Sequence, residues 1–86
     1  MDNAERALYA VLIAQARGGR LDRRFTSSDG VVTARLAPNR TKLWIDIGGN
    51  ARARINDLVT TIAGMAGNAR QSPSPRPDRV VIEVRL

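Results

Sequence analysis

Apolar residues recur at helical spacing near the start of the chain. Leu8, Tyr9, Val11, Leu12, Ile13 and Ala16 cover one broad side of residues 3–17, and Arg6, Ala10, Ala14 and Arg17 cover the other. This predicts a helix capped by Asp2 or Asn3 and ended by Gly18-Gly19. Its apolar arc spans about half the circumference, so it is expected to touch the sheet and one further element. Residues 20–27 alternate weakly, with Leu21, Arg23 and Phe25 on one side. Asp29-Gly30 is the strongest hairpin signal in the chain. Residues 31–36 then alternate, with Val32, Ala34 and Leu36 on one side and Val31, Thr33 and Arg35 on the other. Ala37-Pro38-Asn39-Arg40 reads as a turn.

Residues 42–47 give the clearest strand, with Leu43, Ile45 and Ile47 inward and Lys42, Trp44 and Asp46 outward. Gly48-Gly49 makes a turn, Asn50 is placed to cap, and residues 51–66 form a second helix. Its stripe is Ile55, Leu58, Val59, Ile62, Met65 and Ala66; Gly64 is expected to loosen it and Gly67-Asn68 to end it. Residues 68–78, with Pro73, Pro75 and Pro77 at alternate positions, read as a flexible Ser/Pro/Arg-rich loop. A final strand spans residues 79–86, with Val80, Ile82, Val84 and Leu86 on one side. The order α-β-β-β-α-β predicts a two-layer α+β fold: a four-stranded mixed sheet with two helices on one face. If the last strand pairs within its own chain, the crossover through the second helix allows it a parallel neighbour, and the long loop allows other placements too.

At 86 residues the chain reads as one domain with a small core. It contains neither cysteine nor histidine, so disulfides and the usual zinc frameworks are excluded and no metal or cofactor is expected. No apolar run reaches the ~20 residues of a membrane span. Asp2 and Glu5 oppose Arg6 ahead of Leu8–Ala14, unlike a signal peptide. A cytoplasmic protein with no membrane partner is expected. The net charge of +6 suits nucleic acid, an acidic protein or an anionic surface. Lys42 is the only lysine among 14 basic residues, a bias that GC-rich, bacterial coding also produces. Guanidinium groups fork phosphate and carboxylate better than ammonium groups do.

Two constellations carry candidate chemistry. Gly48, Gly49 and Asn50, with Arg52 and Arg54 just beyond, place two cations at a helix N-terminus, where backbone N–H groups favour an anion such as phosphate. Glycines also make a tight strand-to-helix turn on their own account. The second constellation is the outward face of the sheet. Alternation sends Trp44 there with Arg24, Arg35, Lys42, Arg79 and Arg85, among Val31, Thr33, Val81 and Glu83. Such a tryptophan can anchor a protein interface, stack a base while arginines hold phosphate, or simply be covered by arginine stems. The terminal strand on its long tether can pair within its own chain or with another subunit. Ser27, Ser28, Ser72 and Ser74 have no evident base, and the eight carboxylates are scattered. Asp46 and Glu83, beside so many arginines, are expected to be ion-paired.

The order α-β-β-β-α over residues 3–66 resembles that of double-stranded RNA-binding domains. In that family the basic start of the second helix grips phosphates, which the resemblance would assign here to Arg52 and Arg54; the strand at residues 79–86 has no counterpart. The function expected first is a non-catalytic, self-associating assembly domain, a homodimer using Trp44, Val31, Val81 and Arg85. The alternative is a nucleic-acid-binding module using Arg24, Arg35, Lys42, Arg52 and Arg54.

Overall fold

The computed structural model describes residues 1–22 and 24–86. The Asp2 side chain accepts the Glu5 backbone N–H at 2.8 Å and starts helix α1 (Asn3–Arg17). Tyr9, Leu12, Ile13 and Ala16 are buried along it. Val11, expected inside, is 49% exposed, because a narrower stripe suffices to seat the helix. The expected strand over residues 20–27 shortens to β1 (Arg24–Thr26). Arg23, expected beside Leu21 and Phe25, lies outside the described residues.

The hairpin forms where Asp29-Gly30 predicts it. Asp29 Oδ1 accepts from the Ser27 hydroxyl and the Val31 N–H, and Gly30 takes φ +74. These two bonds, the hydroxyl's first, hold the Asp29 carboxyl below its usual range. Strand β2 (Val32–Leu36) then pairs antiparallel with β1 and with β3 (Lys42–Ile47). After Gly48-Gly49 the chain makes a 3-10 turn (Ala51–Arg54) before helix α2 (Ile55–Ala66). The helix runs through Gly64 and ends at Gly67 in the left-handed conformation.

The four-stranded mixed sheet expected from the pattern is a five-stranded antiparallel one, in the order β1-β2-β3-β5-β4. The added strand, β4 (Arg70–Ser72), lies inside the stretch read as a loop, and β5 (Val80–Arg85) pairs antiparallel with both β3 and β4. Since both pairings are antiparallel, β4 runs parallel to β3. The expected crossover thus delivers β4, and β5 turns back and inserts between the two.

Inward residues Leu43, Ile45, Ile47, Val80, Ile82 and Val84 form one apolar cluster with Tyr9, Leu12 and Ile13 of α1 and Leu58 and Ile62 of α2. An Arg17 guanidinium donates to the Ala66 carbonyl, tying the two helix ends together. Both helices therefore roof one face, and the other face is open. The α+β class holds. No helix among the described residues is long and apolar enough to cross a membrane.

Candidate functional site

Register fixes what stands on the open face, because cross-strand partners project to the same side. One row runs Arg24, Arg35, Trp44, Glu83, Arg70 across all five strands. A second runs Thr26, Thr33, Asp46, Val81, Ser72, and Lys42 pairs with Arg85 at one end. Alternation in the sequence placed Arg24, Arg35, Lys42, Trp44, Val81 and Arg85 on this side, and the structure puts them there together. Val31 precedes β2; its side chain packs on the edge of the core and its carbonyl accepts from Arg79 Nη2 at 2.9 Å.

Trp44 is held on both its edge and its ring. Its indole N–H donates to Glu83 Oε1 at 3.1 Å, and the Arg35 guanidinium lies 5.0 Å from the ring centroid. Glu83 is only 6% exposed and also accepts from Arg70 Nε at 2.8 Å, with Lys42 Nζ 3.7 Å away. The indole N–H above all, then Arg70 and Lys42, hold its carboxyl below the usual range against the opposing effect of burial. Asp46 pairs with Arg79 Nε, and the Arg79 guanidinium also donates to the carbonyls of Val31 and Asp46. Asp46 and Glu83 are thus both ion-paired, as expected.

Beside Trp44 is a hollow of about 530 Å³. Its floor is Thr33, Asp46 and Val81, and its far wall is the β4–β5 connection at Pro73, Pro75 and Arg76. Arg24, Arg35, Arg76 and Arg79 border it against two carboxylates, Asp46 and Glu83. Those carboxylates are engaged by Arg79, Arg70 and Lys42. Among the described residues, Arg24, Arg35 and Arg76 have no carboxylate partner.

The anion site expected at the second helix is arranged differently. Arg54 reaches back to α1, and its Nη1 donates to both carboxylate oxygens of Glu5, at 2.9 and 2.8 Å, which holds it in its charged form. Asn50 does not cap; its side-chain oxygen accepts from Arg54 Nε at 3.0 Å. Gly48 is buried because the Arg79 guanidinium occupies the place of a side chain: a Cβ there would meet Arg79 Nη1 at 2.7 Å. Gly49 takes φ +65. Arg52 remains exposed, in a shallow recess with Gln71 and Ser74 that shares Ser72, Pro73 and Arg79 with the hollow at Trp44.

Two basic residues of the open face were not read from the sequence as site residues, Arg70 and Arg76. Both lie in the stretch read as a loop. The only signal was the spacing of Pro73, Pro75 and Pro77, which stiffens that segment into a wall. The chain matches no protein-family model, no curated protein and no solved structure.

Proposed function

We propose that this chain is a non-catalytic binding domain whose open sheet face takes nucleic acid. The observation that carries this reading is the hollow at Trp44, where Arg24, Arg35 and Arg76 meet no carboxylate among the described residues while Asp46 and Glu83 are satisfied by other cations. Unpaired guanidinium groups are costly to gather unless a polyanion neutralises them. Arg35 can lie flat on the indole and still direct its N–H edge at a phosphate. Trp44 and that guanidinium plane supply surfaces on which bases stack. The net charge of +6 adds long-range attraction.

A second copy of the chain as partner finds less support. Strand β5, which the sequence left able to pair within its own chain or with another subunit, has a neighbour on each side. The large hydrophobic side chains that are exposed among the described residues are Met1 and Val11, both at α1 rather than on the sheet.

The test is anisotropy of a labelled oligonucleotide over a salt series. Three phosphate contacts predict log K falling with log salt at a slope of about −2 for a single strand. Replacing Arg24, Arg35 and Arg76 together by Gln should remove most of that slope. No binding at low salt, or binding indifferent to salt and to those replacements, overturns the reading.

A further inference from the structure

We infer that the ligand is a single unpaired strand that follows β3, crosses Trp44 and ends in a second basic hollow at Arg40, Lys42 and Arg85; this rests on the nucleic-acid reading above. The arginine hollow does not stand alone. Trp44 also lines a hollow of about 300 Å³, walled by Ala37, Pro38, Asn39, Thr41 and Lys42. Thr41 and Lys42 in turn line a third, of about 510 Å³, with Arg40, Arg85 and the last residue, Leu86. Each shares a wall with the next, so the three form one line from the Asp46 end of β3 past its Lys42 end.

Charge and aromatic surface alternate along that line. Arg76 stands toward the Asp46 end, Trp44 stands in the middle in one row with Arg35 and Arg24, and Arg85 stands at the other end with Arg40, whose Nη1 reaches back toward Gly19. Lys42 is shared with Glu83. Cations on both sides of a stacking platform fit phosphates flanking a base that is free to unstack. Paired bases within a duplex cannot reach the indole without being extruded. Asp46 and Lys42 are about 13 Å apart at ~3.3 Å per strand residue. The whole path is bounded by the 31 Å length of the molecule. A footprint of about four nucleotides, the low end for small single-strand-binding domains, is expected on a path of that length.

The far end can be changed without disturbing the sheet. Arg40 sits at φ 60 in a turn, a conformation asparagine tolerates, and the Arg85 side chain is exposed. The experiment measures anisotropy with oligo-dT and oligo-U of increasing length, and with a hairpin duplex, for the native protein and the double variant Arg40→Asn/Arg85→Gln. Circular dichroism melts verify folding. Affinity should rise with length and level off near four nucleotides, and the duplex should bind about tenfold more weakly. The double variant should lose about fivefold on long strands and nothing on a dinucleotide. The two homopolymers report which sugar is preferred. If the double variant binds long strands like the native protein while Gln at Arg24, Arg35 and Arg76 weakens them, the path is overturned and the nucleic-acid reading stands. Equal affinity for the duplex overturns the single strand. Absence of binding to every oligonucleotide at low salt overturns both.

Discussion

The carboxylate of Glu83 engages three groups at once: the Trp44 indole N–H, Arg70 and Lys42. Because its pKa is lowered from the ordinary 4.5, its stabilising effect is complete above that pH and is lost as pH falls through the lowered value. Acid melts of the native protein should converge on those of Glu83→Gln below that window; a gap that does not change with pH contradicts this. Tyr9 behaves in the opposite sense. Its hydroxyl is sealed in the core with no hydrogen-bond partner among the described residues, and burial first, then the Glu5 carboxylate, pushes its pKa from 10.0 to about 12. The stability this represents is complete below pH 10 and is lost as pH rises through about 12. Tyr9 is the only tyrosine, so alkaline absorbance follows it alone. The midpoint should fall near 12 in the folded protein, and one near 10 contradicts the sealed hydroxyl. Tyr9→Phe should abolish this alkaline loss without lowering stability at neutral pH, since it removes an unsatisfied polar group.

Among the elements, the junction after β3 ties the sheet to its open face. Arg79 fills the space above Gly48 and fastens the start of β5 to β2 and β3 through Val31 and Asp46. Gly48→Ala should expel that guanidinium and destabilise the fold by about 1–2 kcal/mol. In an Arg79→Ala background the same change should cost much less, which a double-mutant cycle of denaturation measures. Additive effects would mean that the glycine serves the turn alone. The glycines were legible in the sequence as a turn, but the guanidinium lodged over Gly48 was not, because residues 31 apart leave no local pattern. Strand β3 and the hairpin at Asp29-Gly30 were legible because alternation and turn chemistry agree there. Strand β4 was not: Arg70-Gln71-Ser72 has no apolar alternation, and it is a strand only because β5 pairs with it. With β4 missed, the crossover pointed to a parallel neighbour for β5, whose two neighbours are both antiparallel. Its central place removes the simple route to strand exchange. Both real edges, β1 and β4, are three residues long and carry an arginine, which discourages edge-to-edge pairing.

For the whole molecule, the two-layer design divides the labour. Helices α1 and α2 take up the apolar face of the sheet, leaving the other face for charge. Period-2 alternation made the membership of that face readable in advance, including Trp44 among arginines. It could not reveal the hollow, whose wall is the Pro-rich connection, nor that Arg54 would turn away to Glu5 and leave the helix start without its second cation. The most direct measurement of the central claim is amide and indole shift mapping by NMR as a short single-stranded oligonucleotide is added at low salt. The Trp44 indole N–H and the Arg24, Arg35, Arg76 and Val81 amides should move, with the outer surfaces of α1 and α2 unmoved. Shifts confined to those helices, or to Arg52 and its neighbours at the start of α2, would contradict the claim.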